Sequence, residues 1–130
     1  MGATSAAEPI TALLPGRVGI VVRLAAKSGG RSALLDAINR YVDELGDEPH
    51  TEAFVIATDP ADENVVWLLE WFGSESGLDK HRETHSFAEL VGRLPELLAD
   101  PPGILRIDPL RLHLRSAAMD DIADWSQPPT

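Results

Sequence analysis

Two histidines four residues apart, His81 and His85, lie in the run Asp79-Lys80-His81-Arg82-Glu83-Thr84-His85, shortly after a strand-like segment that carries the carboxylate Glu70. An imidazole can orient a ligand or act as a general base near neutral pH. A helix over this run places His81 between Leu78 and Phe87, looking down onto the end of the preceding strand. There it is a base or orienter, or a partly buried histidine bonded to Asp79 or a backbone carbonyl. The spacing also puts His81 and His85 on one helix face, as metal ligands often are. The sequence forces no third ligand beside them, so no metal is expected, and the run reads more simply as a solvated, charged helix surface. Glu70 is the odd polar group on the inward face of its strand. A carboxyl in apolar surroundings has a raised pKa and can serve as acid or base, or it pairs with an arginine such as Arg23 or Arg106.

Other chemistries find no support. The chain has no cysteine, which removes thiolate nucleophiles, cysteine zinc sites and disulfides, and makes a reducing, cytoplasmic setting the simpler expectation. Ser28-Gly29-Gly30 is too short for a nucleotide-phosphate loop, so neither flavin nor nicotinamide is implied. No nucleophile elbow is present. With 11 basic and 21 acidic residues the formal charge is −10, which repels nucleic acid and anionic lipid. No apolar run approaches the roughly 20 residues that cross a bilayer, and the first sixteen residues lack the pattern of a signal peptide.

The elements that must hold these groups follow from periodicity. Residues 17–25 alternate, with Val18, Ile20, Val22 and Leu24 on one face. Leu34, Leu35, Ile38, Tyr41, Val42 and Leu45 recur at helical spacing and stop at Gly46. Residues 51–58 and 65–72 form a hairpin across the turn-rich Asp59-Pro60-Ala61-Asp62-Glu63-Asn64. Ser74 caps the next helix, and a second helical piece starts near Ser86. A last strand spans residues 104–115, with a bulge at Asp108-Pro109 where the apolar phase switches. One domain, 17–115, is expected between a loose arm, 1–16, and an acidic tail, 116–130.

The order βαββαβ predicts an α+β, ferredoxin-like fold: a four-stranded antiparallel sheet with two helices on one face. On the third strand Val66, Leu68, Glu70 and Phe72 point one way and Val65, Trp67, Leu69 and Trp71 the other. Both faces are mainly apolar. The helices cover one, and a second copy of the chain is expected on the other, with Trp67, Leu69 and Trp71 as interface anchors.

The residues at these positions resemble the antibiotic biosynthesis monooxygenase-like family of dimeric α+β barrels. Glu48-Pro49 stands at the family's Glu-Pro-Gly-Cys opening, and the match runs without gaps through Asp59-Pro60, Asp62, Asn64, Glu70, Leu78, Asp79, His81, Thr84 and Phe87. The resemblance covers about residues 17–112. Where the family usually reads Tyr-Glu-x-Trp this chain has Leu69-Glu70-Trp71-Phe72, and its family-type Thr-Pro-His-Phe is Thr84-His85-Ser86-Phe87. The second change turns the histidine by about 100° on a helix. In the haem-degrading branch the matching positions carry Asn, Trp and His, and here they are Val22, Phe72 and Val91.

The resemblance implies a homodimer and a monooxygenase that needs no cofactor and oxidises an electron-rich aromatic molecule such as a polycyclic phenol or quinol. His81 would then be the base, Glu70 a second polar contact, and Val22, Phe72, Phe87 and His85 the substrate contacts. The alternative is a non-enzymatic dimer, stress-associated or binding a small apolar ligand in the same pocket.

Overall fold

The computed structural model describes residues 15–46 and 48–113. The expected tail and nearly all of the expected arm therefore lie outside the described residues. Gly16–Asp108 forms a compact unit. Its elements are β1 (Val18–Ala25), α1 (Arg31–Leu45), β2 (Thr51–Thr58), β3 (Val65–Phe72), α2 (Glu75–Arg82), α3 (His85–Leu97) and β4 (Gly103–Ile107). The strands make one antiparallel sheet in the order β2-β3-β1-β4, the ferredoxin-like arrangement.

The alternation in β1 does what the sequence predicts. Val18, Ile20, Val22 and Leu24 are buried together with Val66, Leu68 and Phe72 of β3, Leu34 and Ile38 of α1, and Leu78 of α2. Burying a side chain of this kind stabilises the fold by roughly 1.5–3 kcal/mol, which is why the helices settle on this face. Gly46, at φ 44°, ends α1 in a backbone region that side chains disfavour. In the hairpin loop Asp59 accepts a hydrogen bond from the Ala61 N–H at 2.8 Å and Asp62 one from the Asn64 N–H at 2.9 Å, so the loop satisfies its own backbone.

The segment after β3 folds as the two helical pieces the sequence predicts, α2 and α3, and one expectation, the length of the last strand, needs correction. Thr84 adopts extended angles (φ −72°, ψ 151°), its hydroxyl donates to the His81 carbonyl at 2.7 Å, and it accepts from the Phe87 N–H at 3.3 Å. One side chain thus closes α2 and caps α3. The last strand stops at Ile107, with no bulged continuation in the described residues that follow. Ile107 pairs with Gly19, next to the first residue of β1, so β4 runs out of partner backbone just before Pro109, which has no N–H to donate.

Among the described residues, none covers the face away from the helices. Val55, Leu69, Val21 and Leu105 line up across all four strands in one row. Ala53, Trp71, Gly19 and Ile107 form the row beside it. Val55 and Leu105 are exposed, and Trp67, Leu69 and Trp71 are half-buried.

Candidate functional site

Five elements and one connection bring a polar cluster into the core between sheet and helices. Tyr41 comes from the buried face of α1, Glu70 and Phe72 from the end of β3, His81 from α2 and Phe87 from the first turn of α3. Glu48 and Thr51 come from the α1–β2 connection and the first residue of β2. His81 is central and only 1% exposed. Its ring packs on Phe72 at 4.8 Å between centroids and meets Phe87 at 5.3 Å and Tyr41 at 5.9 Å. Such tilted and edge-on contacts are favourable for aromatic rings.

Both ring nitrogens are engaged. Nε2 lies 2.6 Å from the Tyr41 hydroxyl and 3.8 Å from Glu70 Oε1. Nδ1 lies 3.3 Å from Thr51 Oγ1 and 3.7 Å from Glu48 Oε2. The partners foreseen for a buried histidine, Asp79 or a backbone carbonyl, are replaced by these side chains. Burial holds the imidazole below its ordinary pKa, partly offset by Glu48, so the ring is neutral near pH 7. Tyr41 is pushed up by burial and by the fields of Glu70 and Glu48, so its phenol keeps its proton.

The two carboxyls are in opposite states. Glu48 loses some hydration, but its hydrogen bonds from the Thr51 hydroxyl (2.6 Å) and the His50 N–H (2.7 Å) prevail, with the Thr51 N–H adding a third at 3.1 Å. Its pKa therefore falls below the usual value. Glu70 accepts no hydrogen bond among the described residues. Burial raises its pKa to about 7, tempered by the positive charge of Arg82. Its side chain keeps 12% of its surface accessible, so it stays reachable where His81 is not. Two carboxyls split in this way around a neutral imidazole can hold and pass a proton near neutral pH.

The expected partners of Glu70 lie elsewhere. Arg23 points to the opposite face of the sheet, and Arg106 pairs with Glu75. His81, Glu70, Phe72 and Phe87 come together as anticipated. Val22 is buried in the neighbouring aliphatic core. His85 does not join them. It opens α3 with its side chain 88% exposed and pairs with Glu89 at 3.4 Å, so His81 and His85 do not share a helix face as their spacing suggested. Trp67, Leu69 and Trp71 lie on the open face of the sheet, and Trp67 donates to Asp59 at 2.9 Å.

Sequence reasoning missed Tyr41, Glu48 and Thr51 as members of the cluster. Tyr41 carried the one available signal, as the chain's single tyrosine and the one hydroxyl in the apolar stripe of its helix. A hydroxyl on a buried face needs a partner. Glu48 and Thr51 sit in a connection whose path no periodicity describes.

This fold and cluster define a small ferredoxin-like protein with a buried polar cluster between its sheet and helices. The chain belongs to the antibiotic biosynthesis monooxygenase family, whose model matches residues 17–93. Among solved structures it is similar to the Rv0793 protein of Mycobacterium tuberculosis, at 21% identity and a TM-score of 0.68 over 73% of this chain and 96% of that one. It is likewise similar to a Caulobacter crescentus protein provisionally described as an antibiotic biosynthesis monooxygenase, at 19% identity and a TM-score of 0.70 over 75% and 93% of the two chains. A Nitrosomonas europaea protein of unknown function, NE2512, is 25% identical with a TM-score of 0.67 over 81% and 95%. No curated protein matches the sequence.

Proposed function

We propose that the chain is a monooxygenase that uses O₂ to oxidise an electron-rich phenol or quinol, with Glu70 as the base that takes the substrate's proton. The observation that supports this most is Glu70 itself: a carboxyl with a pKa of about 7, reachable at one edge, 3.8 Å from a neutral imidazole and beside Phe72. A general base works best when its pKa lies near the operating pH. Loss of the phenolic proton makes the ring electron-rich enough to react with O₂. Four electrons leave the substrate, one oxygen atom enters the ring as a new carbonyl, and the other departs as water with two substrate hydrogens. The substrate is the reductant, so this chemistry needs no flavin or metal. His81 is enclosed, so in this reading it positions and tunes Glu70, and the role of base expected for it passes to the carboxyl.

Oxygen uptake with a panel of quinols tests the proposal. Uptake that Glu70→Gln lowers about 100-fold is expected. Uptake unchanged by that substitution removes Glu70 as the base.

One observation favours a second reading. Phe72 has no exposed surface and His81 almost none, so the aromatic cluster is packed shut. A non-enzymatic protein that binds a small apolar ligand, or uses the cluster only as core, is consistent with that closure. Ligand binding without oxygen uptake across the panel decides for it. In either reading the chain works as a homodimer joined through its open sheet face, supported by the apolar rows across that face.

A further inference from the structure

The distances around His81 form an unbroken series. The Tyr41 hydroxyl is 2.6 Å from His81 Nε2, His81 Nδ1 is 3.3 Å from Thr51 Oγ1, and Thr51 Oγ1 is 2.6 Å from Glu48 Oε2. Each link has one consistent direction. Glu48 accepts the Thr51 hydroxyl proton, and with that proton committed, Thr51 Oγ1 faces His81 with a lone pair. It can therefore only accept from Nδ1–H. The neutral ring then carries its own lone pair on Nε2, which accepts the Tyr41 O–H. We propose that Glu48 and Thr51 are positioning residues that lock His81 in the Nδ1–H tautomer, making Tyr41, His81, Thr51 and Glu48 a proton relay from the closed core to the surface.

The outer end of the series meets solvent. Glu48 and Thr51 line a surface cavity of 240 Å³ together with Val42, Leu45, Glu52 and Phe54. The Glu48 side chain is 14% exposed, and His50, with Nε2 4.0 Å from Glu48 Oε1, is 32% exposed. With protonated Glu70 as the donor, whose O–H bond breaks, a proton delivered at the Tyr41 oxygen moves outward by four further transfers. Tyr41 O–H protonates Nε2, Nδ1–H passes to Thr51 Oγ1, and the Thr51 proton passes to Glu48, which releases it to water or His50. Every oxygen and nitrogen keeps its valence, and each bond formed is matched by one broken. The hydrogen-bond direction stands on its own geometry, and its use in turnover rests on the oxidation proposed above.

Nitrogen-15 NMR of the intact protein reads the tautomer directly, with His81→Gln used to assign the His81 signals. The expected spectrum at pH 7.5 has a pyrrole-type Nδ1 and a pyridine-type Nε2 for His81. Thr51→Ser keeps this pattern. Thr51→Val, which is nearly isosteric but cannot bridge, moves His81 toward the Nε2–H form. A protonated Nε2 in the wild type overturns the proposal, as does a pattern that Thr51→Val leaves unchanged. If Thr51→Val does not fold, the wild-type spectrum and the Thr51→Ser spectrum decide. Where quinol oxidation is observed, Thr51→Val lowers it about 100-fold and Thr51→Ser rescues it. Where it is not, the tautomer result stands alone, so loss of the enzyme reading is distinguishable from loss of the relay.

Discussion

At Glu70 the chain places an ionisable group where an apolar residue would pack, between Phe54 and Ile20 in the sheet and under a buried histidine. The energetic consequence has a definite sign. The folded protein binds the Glu70 proton more tightly than the unfolded chain, because burial raises its pKa from 4.5 to about 7. Its contribution is fully present below about pH 4.5 and is lost as pH rises through 7. His81 and Glu48 run the other way: their depressed pKa values give stability that is present at neutral pH and lost on acidification. Glu70→Gln mimics the protonated carboxyl and isolates the first of these effects. Urea denaturation of both proteins should show the variant gaining on the wild type by about 2–3 kcal/mol between pH 4.5 and pH 8, the size expected for such a displaced carboxyl. A stability difference that stays flat across that range means Glu70 is hydrated in the folded state. Glu70 and His81 were legible in the sequence because each interrupts a clear apolar pattern. Their partners were not, since Tyr41 looks like one more large core residue until the hydroxyl is asked where it bonds, and Glu48 and Thr51 meet His81 only through tertiary packing.

Among the elements, the junction of α2 and α3 decides which histidine enters the core. A continuous helix through residues 75–97 would carry His81 and His85 on one face. Thr84 prevents that by bonding to the turn before it and the turn after it, so His81 stays inside and His85 is left at the surface. Thr84→Ala removes both bonds. It should cost about 1 kcal/mol in urea denaturation, a typical value for a lost N-cap, whereas His85→Ala should cost less than about 0.5 kcal/mol because its ion pair is exposed. Equal losses would show that the cap contributes nothing special. At the other edge Gly19 lets β4 come close: a Cβ built there would lie 2.6 Å from Ile107 Cγ1. Gly19→Val should therefore displace β4 and destabilise the protein by about 1–3 kcal/mol, the usual cost of overpacking, with faster amide exchange at Leu105 and Ile107. Unchanged exchange at those amides would mean the strand shifts without loss. The strands and α1 were legible because alternation and helical spacing continue through them. The end of β4 was not, since the apolar residues of 110–114 continue a strand-like pattern after the partner strand has run out of register.

For the whole molecule, the open sheet face sets the problem. Its two apolar rows and two tryptophans were visible from alternation alone, since both faces of β3 read as apolar and the helices among the described residues cover only one of them. Removing such a surface from water favours association at roughly 25 cal/mol per Å², and a stable interface needs about 800 Å² from each partner. A four-stranded sheet face is of that order, with strands about 4.8 Å apart. Against this acts charge, because each chain carries a formal −10 and two copies repel. The proposed dimer should consequently tighten as salt rises from 20 to roughly 300 mM, where the screening length falls below about 10 Å. Sedimentation should give twice the 14.1 kDa chain mass for the wild type. Leu69→Asp, at the centre of the row from Val55 to Leu105, should shift the protein to monomer, and Val91→Asp, exposed on α3, should leave the dimer intact. A wild type that sediments at the mass of one chain in both salts overturns the dimer, and the open face would then need a different partner. A dimer that Leu69→Asp leaves intact overturns only the choice of face.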